Sequence, residues 1–226
     1  TSLILNKGNR HLKHDIKSYG IFLPYKHLRP SYQKGQLYNN NFVPLISYYM
    51  DVSIIYVNYR TSRLLIDSIN SVKEKTQGIL YEIIIVDNNS GDGSLAKIQE
   101  IHPDVITIQS EKNVGFGRAN NLGLKKADGK YIFFLNPDTL LRNNAIGELF
   151  RFLELNVNVG ACGGNLYDEE GNATTSFSRK YPSFLWELLG ILYIPSLCFS
   201  SRRSLFFNHE GKPIKVASVT GADLMV

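Results

Sequence analysis

The feature that most constrains the fold of this chain is an alternation of apolar runs with amphipathic segments, which begins just after Met50. The runs VSIIYVNY (52–59) and EIIIVDNN (82–89) are apolar and rich in β-branched residues, and each ends in polar groups. This pattern is typical of strands that are buried on both faces, as in a parallel sheet. The segment 63–75 between them has leucine, isoleucine and valine at helical spacing, which predicts a crossover helix.

The alternation continues far enough to define a fold class. Further helices are predicted at 94–101, 116–126 and 143–155, and further strands at 105–110 and 130–138. Strands and helices in this order, joined by right-handed crossovers, predict an α/β fold with a mostly parallel sheet flanked by helices. Beyond this point the pattern loosens, and short strands are predicted at 159–167, 174–179 and 216–226.

The two ends of the chain determine the predicted domain organisation. Residues 1–49 show no clean helical or strand period, and we predict that they form an N-terminal extension to which the sequence assigns no role. Residues 50–226 are predicted to form one domain. Because the last apolar run is still in progress at Val226, we expect this domain to be C-terminally incomplete.

Composition excludes several classes of protein. The 226 residues are 43% hydrophobic and 20% charged, which suits a globular chain with a sizeable core. Cys162 and Cys198 are the only cysteines, which excludes a disulfide framework and a four-thiolate zinc site, and we expect a reducing, cytoplasmic location. The formal net charge of +5 fits a nucleic acid, a membrane surface or a phosphorylated ligand, and the charge alone does not choose among them. Because the lysines and arginines are scattered and no nucleic-acid-binding module is recognisable, we expect no nucleic acid partner.

One apolar segment leaves two interpretations open. The run FLWELLGILYIPSLCF (184–199) is shorter than the roughly 20 residues of a membrane span, and Glu187 and Pro195 interrupt it. No segment resembles a secretory signal. We predict a helix at 184–199 that is either packed in the core or in peripheral contact with the inner face of a membrane.

Polar residues follow three of the predicted strands. They are Asn58 and Tyr59 after the first strand, Asp87, Asn88 and Asn89 after the second, and Asn136 and Asp138 after the fourth. Ligands of open α/β sheets bind beyond the carboxyl ends of the strands, so this clustering predicts a binding site at one rim of the sheet. Asp87 suits a nucleobase or a ribose hydroxyl as a hydrogen-bond acceptor, and it equally suits a cap on the turn that follows it.

The segment Asn136-Pro137-Asp138 predicts a metal site. A carboxylate beside a carbonyl-type oxygen suits Mg²⁺ or Mn²⁺, which take one or two protein oxygens and complete their shell with water and substrate phosphates. Such a cation neutralises a diphosphate leaving group. The same residues also suit a helix cap, and the sequence leaves both interpretations open.

The stretch NVGFGRANN (113–121) opens the third predicted helix. Its glycines permit close backbone approach, and a helix N-terminus favours phosphate. It does not match the dinucleotide-binding fingerprint, because Asn120 stands where the third glycine is required, and it lacks the lysine of a triphosphate-binding loop.

These segments, in this order, resemble the inverting family 2 glycosyltransferases, which have a GT-A fold. The resemblance covers residues 51 to about 160 and is nearest to a rhamnosyltransferase-like branch, whose second acidic motif is NPD. It implies transfer of a sugar, with inversion, from a UDP- or dTDP-sugar to a saccharide or a lipid-linked saccharide.

The resemblance also implies roles for individual residues. Asn58 and Tyr59 are expected to line the nucleotide pocket, and Asp87 is expected to contact the base or ribose with Asn89 nearby. Arg118 and Asn120 are expected to border the donor. Asp138 is expected to bind Mg²⁺ or Mn²⁺, with Asn136 in place of the usual first aspartate. The run VTGADLMV (219–226) resembles an acceptor-side strand, in which Gly221, Ala222 and Asp223 face the acceptor, and buried strand packing is the alternative.

The catalytic base of this family is an acidic residue that we expect beyond Val226, so none is named. A sugar nucleotidyltransferase is the rival enzyme, but residues 57–63 lack the glycine- and lysine-rich activation loop that it requires. The alternative outside enzymes is a donor-binding module without turnover.

Overall fold

The structure is a computed structural model that describes residues 50–179 and 206–226, together with the backbone of three short strands nearer the N-terminus. The strands are β1 (Ser2–Leu5), β2 (Gly35–Tyr38), β3 (Asn41–Pro44), β4 (Val52–Asn58), β5 (Tyr81–Asp87), β6 (Ile106–Gln109), β7 (Tyr131–Leu135), β8 (Thr139–Leu141), β9 (Asn165–Tyr167), β10 (Phe177–Ser178), β11 (Ser218–Val219) and β12 (Asp223–Met225). The helices are α1 (Ser62–Lys75), α2 (Ser94–Ile101), α3 (Phe116–Leu124) and α4 (Ala145–Leu155).

A five-stranded sheet in the order β12-β7-β4-β5-β6 forms the centre of the fold. Strand β4 pairs in parallel with β5 on one side and with β7 on the other, and β6 continues the parallel arrangement beyond β5. Only the edge strand β12 runs antiparallel, against β7. The carboxyl ends of four parallel strands therefore meet at one rim.

Helices cover both faces of this sheet. The larger core includes Ile54 and Ile83 of the sheet together with Leu65 of α1, Ile98 of α2 and Leu149 of α4. On the other face, α3 lies against the sheet, and its Ala119 forms a smaller core with Val57 and Val86. Since side chains alternate along a strand, the continuous apolar runs supply both cores, which is why β4 and β5 are buried throughout.

Smaller sheets surround the central one. Strand β1 lies between β8 and β9, antiparallel to the first and parallel to the second. Strands β10 and β11 pair antiparallel, as do β2 and β3. The division of the chain at residues 49 and 50 stays a prediction.

The α/β architecture and the order of its main elements confirm the prediction from sequence, while the later strands differ. The run 216–226 is two short strands rather than one, because the chain turns at Gly221 and Ala222 between β11 and β12. The predicted strand at 159–167 is ordered as a strand only over β9, although Cys162 forms an isolated bridge with Met225. The helix predicted at 184–199 lies outside the described residues. In the part of the chain that the structure describes, no helix has the length and apolar character needed to cross a membrane.

Candidate functional site

The rim of the central sheet contains a crevice at the point where the chain changes direction across the sheet. After β4 the chain adds β5 and then β6 on one side, and it then returns to place β7 on the other side of β4. Such a switch point leaves a gap between the loops that follow adjacent strands, which is where open α/β sheets bind ligands. The crevice is lined by Val57, Tyr59, Thr61, Asn88, Asn113, Gly115, Phe116 and Pro137.

The lining of the crevice is uncharged and combines apolar walls with three polar side chains, those of Thr61, Asn88 and Asn113. Its volume is about 290 Å³, and its apolar walls are formed by Val57, Tyr59, Phe116 and Pro137. The two aromatic side chains remain partly open to solvent, with Tyr59 43% and Phe116 50% exposed. No lysine, arginine, aspartate or glutamate is among these lining residues. A flat, uncharged group with a few hydrogen-bonding atoms fits such a cavity better than a phosphate does.

Asn58 lies beneath the crevice and ties three segments together. Its side chain is completely buried, and Nδ2 donates to Asp87 Oδ1 at 2.7 Å, to Ser94 Oγ at 2.8 Å and to Ser90 Oγ at 3.2 Å. Its Oδ1 accepts from the backbone N of Thr61 at 3.2 Å and from the Thr61 hydroxyl at 2.9 Å. This carboxamide therefore supports the loop after β4 and the turn after β5 from below.

Asp87 is sealed into the same network. Only 2% of the residue is exposed. Its Oδ1 accepts hydrogen bonds from Asn58 Nδ2 and from the Ser90 hydroxyl. Its Oδ2 accepts from the Ser90 backbone N at 2.9 Å and from Gln109 Nε2 at 3.0 Å. Burial raises the pKa of this carboxyl, but the hydrogen bonds from Ser90, Gln109 and Asn58 outweigh burial and hold the pKa below its ordinary value. Asp87 is thus an ionised carboxylate that organises the turn.

Asn88 and Asn113 form one polar wall of the crevice. Asn88 Nδ2 donates to Asn113 Oδ1 at 3.0 Å, and Asn88 Oδ1 accepts from the backbone N of Val114 at 2.9 Å. Asn113 Oδ1 also accepts from the backbone N of Gly115 at 3.0 Å. These bonds fix the loop that leads into α3, so the N-terminus of that helix opens onto the crevice.

The residues 136–138 form a tight turn between β7 and β8. The backbone N of Thr139 donates to the carbonyl oxygen of Asn136 at 3.1 Å, and the backbone N of Asn136 donates to the carbonyl oxygen of Ala222 at 2.9 Å. Asn136 and Asp138 are both partly exposed, on either side of Pro137, which lines the crevice. A carboxylate and a carboxamide therefore flank one end of the crevice. The helix-capping residue is Asn144, whose side chain accepts from the backbone N of Gly147.

The acceptor-side run predicted at 219–226 meets this turn. Gly221 is exposed, and Ala222 contacts Asn136 through the backbone bond described above. Asp223 is fully buried; one carboxylate oxygen accepts from the backbone N of Gly164, and the other accepts from the Thr220 hydroxyl at 3.4 Å. Burial raises the pKa of Asp223 well above its ordinary value, and these two hydrogen bonds only partly oppose that effect. Asp223 consequently packs inside the fold and does not face a ligand.

The other predicted residues lie at varying distances from the crevice. Tyr59 lines it, with the Arg60 guanidinium 5.4 Å from the ring centroid. Asn89 is exposed and adopts a left-handed backbone with φ 64°, which turns the chain after β5. Arg118 is exposed on α3, while Asn120 is buried on the inner side of that helix, 8% exposed.

Sequence reasoning placed Asn88 in the cluster at the rim without giving it a role, and it did not single out Thr61, Asn113 or Pro137. Thr61, Asn88 and Asn113 supply the side-chain polar groups of the crevice, and Pro137 forms one of its walls. Their position in the sequence was a signal for this role. Each of them lies either within three residues of a polar residue assigned to the site or inside the NVGFGRANN stretch. The side-chain alternation along β5 alone does not reveal that Asn88, rather than Asp87, reaches the cavity.

Comparison with known proteins identifies a family. The family model described as Glycosyl transferase family 2 matches residues 53–210. An uncharacterized glycosyltransferase from Nostoc sp. is 33% identical over 167 residues, which cover 71% of this chain and 52% of that protein. The minor teichoic acid biosynthesis protein GgaB from Bacillus subtilis is 31% identical over 112 residues, which cover 48% of this chain and 12% of that protein. The chain therefore spans about half the length of the Nostoc relative and much less of GgaB.

Solved structures with a similar chain course include two that contain a nucleotide sugar. The structure of S. aureus TarS 1-349 in complex with UDP-GlcNAc has a TM-score of 0.43 and 23% identity, over 47% of this chain and 32% of that chain. The mannosyltransferase PcManGT from Pyrobaculum calidifontis, in complex with GDP-Man and Mn²⁺, has a TM-score of 0.45 and 22% identity, over 51% of this chain and 35% of that chain.

Proposed function

Because this chain belongs to glycosyl transferase family 2, we propose that its crevice holds the nucleoside part of a UDP- or dTDP-sugar from which a sugar is transferred. The mostly parallel sheet flanked by helices is the GT-A fold of that family. The observation that carries the proposal is the position of an uncharged, aromatic-walled crevice at the switch point of the sheet, directly beside the Asn136–Asp138 turn. The acceptor in this proposal is a saccharide or a lipid-linked saccharide, and the transfer inverts the anomeric carbon.

Two chemically different regions lie next to one another, as a nucleotide sugar requires. The crevice suits the base and ribose, since Tyr59 and Phe116 offer stacking surfaces and the amides offer hydrogen bonds. The diphosphate would extend toward Asp138 and Asn136, with the N-terminus of α3 adding favourable backbone N–H groups. Arg118, exposed on α3, is assigned to the border of the donor in this proposal.

The roles of Asn58 and Asp87 follow from their burial. We propose that both shape the nucleotide pocket from beneath, by holding the turns that carry Tyr59 and Asn88, rather than by direct contact. Asn89 and Asn120 belong to the same two loops, and in this proposal they position the donor-binding segments. No catalytic base is assigned, because Asp223 is enclosed by protein and has both oxygens engaged.

The residues of the turn fit a hard divalent cation such as Mg²⁺ or Mn²⁺. Asp138 supplies a carboxylate and Asn136 a carbonyl-type oxygen, both partly exposed, which is the kind of oxygen set that such cations accept. Within the described ranges no group of three or more His, Cys, Asp or Glu side chains is placed to hold a metal. A cation here would therefore depend on phosphate oxygens and water for the rest of its shell, and when bound it would neutralise the leaving diphosphate.

The proposal is tested by thermal unfolding with UDP, dTDP and GDP, each with and without Mn²⁺. We expect UDP and dTDP to raise the melting temperature in a concentration-dependent way, more so with Mn²⁺, because a ligand that binds only the folded state stabilises it. A melting temperature that none of the three nucleotides changes, with or without Mn²⁺, rejects the donor site.

The variant Asp138→Ala tests the metal part of the proposal. We expect it to abolish the additional stabilisation that Mn²⁺ brings in the presence of UDP, while the melting temperature without ligand stays close to that of the wild type. Asp67→Ala is the matched control, because Asp67 is an exposed aspartate on α1. An Mn²⁺ effect that survives in Asp138→Ala would remove Asp138 from the metal site.

A further inference from the structure

Strand β8, which directly follows the turn proposed to bind the metal, has one backbone edge held by helix α1. The Ser68 hydroxyl donates to the carbonyl oxygen of Thr139 at 2.5 Å, and the backbone N of Leu141 donates to Ser71 Oγ at 3.0 Å. The backbone groups of successive strand residues point to opposite sides. The N–H and C=O of Leu140 therefore face away from α1.

Strand β9 is held in the same way by the segment that follows it. The backbone N of Leu166 donates to Ser176 Oγ at 2.7 Å, and its carbonyl oxygen accepts from the backbone N of Thr174 at 3.0 Å. The backbone groups of Asn165 and Tyr167 therefore point the opposite way, toward β1. Strand β9 is buried throughout and β8 is buried at both ends, so these groups would be costly to leave without partners.

Between the two strands lies a slot, bounded by Leu140 on one side and by Asn165 and Tyr167 on the other, and β1 fills it. Ile4 lies opposite Leu140 in antiparallel register. Leu3 lies opposite the residue between Asn165 and Tyr167 in parallel register. The backbone groups that β8 and β9 present to the slot are therefore the ones that β1 reaches, and each of these strands pairs with β1 rather than with the other.

From this arrangement we propose that β1 is a positioning element of the donor site, which fixes β8 and with it the Asn136–Asp138 turn. Leu5 lies opposite Thr139, the residue next to Asp138, so the pairing extends to the end of the turn. Binding of a nucleotide with Mn²⁺ then depends on residues 2–5, to which the sequence assigns no role. The metal part of this inference rests on the proposed function, whereas the filling of the slot does not.

The first test is hydrogen exchange of the full chain, followed by NMR at the amides of Leu140 and Tyr167. We expect both amides to be protected in the wild type. Ile4→Pro should raise their exchange rates about tenfold or more, because proline has no N–H to offer β8 and disrupts a strand that pairs on both edges. Ser2→Pro is the matched control, since Ser2 is the first residue of β1 and lies beyond the end of β8.

The second test is the ratio of the dissociation constants of UDP without and with Mn²⁺, measured by titration calorimetry. We expect a ratio above one in the wild type and in Ser2→Pro. In Ile4→Pro the ratio should fall toward one, because the turn loses the strand that fixes it. A merely structural role of β1 would lower the melting temperature of Ile4→Pro and leave this ratio unchanged.

If Ile4→Pro does not fold, the wild type carries the test. Coupling between two sites is reciprocal, so a ligand that needs β1 in its slot also holds β1 there. UDP with Mn²⁺ should therefore slow exchange at Leu140 and Tyr167 by a larger factor than at His102, the residue that ends α2. Slowing by the same factor at all three amides would overturn the proposal.

The remaining outcomes separate this inference from the proposed function. Unprotected amides at Leu140 and Tyr167 in the wild type would show that the slot is not filled. An unchanged Mn²⁺ ratio in Ile4→Pro would show that β1 does not position the turn. Either result overturns the inference and leaves the proposed function standing. A wild type whose affinity for UDP does not depend on Mn²⁺ removes the metal part of the proposed function, and the positioning role of β1 fails with it.

Discussion

Asn58 is a completely buried amide that holds together several segments at the rim of the sheet. Its carboxamide bonds to four residues of the loops at the rim, and none of it is exposed. A buried network of this kind is costly to break, because each partner that loses its hydrogen bond stays buried. At this scale the arrangement of the loops at the rim depends on buried side chains and on the hydrogen bonds between them.

Removal of this amide gives the first prediction at the residue scale. Asn58→Ala removes one of the four hydrogen bonds that Asp87 accepts and leaves the Thr61 hydroxyl without its acceptor. Because these groups stay buried or partly buried, we expect the free energy of unfolding to fall by about 2–4 kcal/mol. Urea denaturation measures the change. Asn121→Ala, at an exposed position, is expected to stay within about 0.5 kcal/mol of the wild type. A loss for Asn58→Ala as small as that of the control would show that the network is not formed in solution.

Asp223 predicts a dependence of stability on pH. Burial raises its pKa in the folded protein well above the ordinary value, so the folded protein holds the proton more tightly than the unfolded chain does. The resulting contribution to stability is complete below the ordinary pKa of an aspartate and is lost as the pH rises through the folded-state pKa. The other titratable group beside Asp223 is the Cys162 thiol, and burial raises its pKa, so that it stays neutral over the acid to neutral range.

Asp223→Asn removes this proton linkage while it keeps a side-chain oxygen for Gly164 or Thr220. We expect the free energy of unfolding of the variant, relative to the wild type, to increase steadily as the pH is raised from acid to neutral. Urea titrations over a series of pH values measure the difference. A difference that stays constant across the series would mean that Asp223 is ionised, or equally solvated, in both states.

Helix α3 is the element that brings one wall of the crevice to the sheet, and its approach depends on a glycine. A Cβ placed on Gly123 would lie 2.7 Å from Ile55 Cγ2 and 3.4 Å from Val86 Cγ2, both in the buried interior of the sheet. A contact of 2.7 Å cannot persist, so either α3 or the Ile55 side chain would have to move, and we expect α3 to move outward because Ile55 is fully packed in the sheet. Because Gly115 and Phe116 at its start line the crevice, such a shift would widen the site as well.

Gly123→Ala is therefore expected to destabilise the fold by about 1–3 kcal/mol and to weaken UDP binding. Gly117→Ala provides a matched control in the same helix, because a Cβ there meets nothing within 4 Å. The control should leave the free energy of unfolding unchanged or raise it by up to about 1 kcal/mol, as alanine favours helix over glycine. Chemical denaturation compares the two, and equal effects would contradict the packing argument.

The elements themselves were largely predictable from sequence. The continuous apolar runs at 52–59 and 82–89 identify buried parallel strands, and α1 and α4 follow from leucine and isoleucine spacing. The burial of Asp87 was not predictable, since its partners Asn58, Ser90 and Gln109 come from three separate segments. A carboxylate at a strand end has the same local sequence whether it is open to a ligand or sealed by such partners.

At the scale of the whole molecule, the strand order decides where a ligand can bind. Sequence predicts four parallel strands but not that β7 returns beside β4, and it is this return that opens the crevice. The antiparallel β12 then brings Ala222 to Asn136, so a run far along the chain supports the turn that carries Asp138. Long-range pairings of this kind have no local signature, which is why the position of the run 219–226 beside the Asn136–Asp138 turn was hard to predict from sequence.

The most direct test of the central claim is a crystal structure of the chain grown with UDP and Mn²⁺. The proposed function predicts that the uracil ring lies in the crevice beside Tyr59 and Phe116, with the diphosphate directed toward Asp138. A nucleotide bound away from the switch point of the sheet, or a diphosphate on the side of the ring far from the Asn136–Asp138 turn, would contradict it.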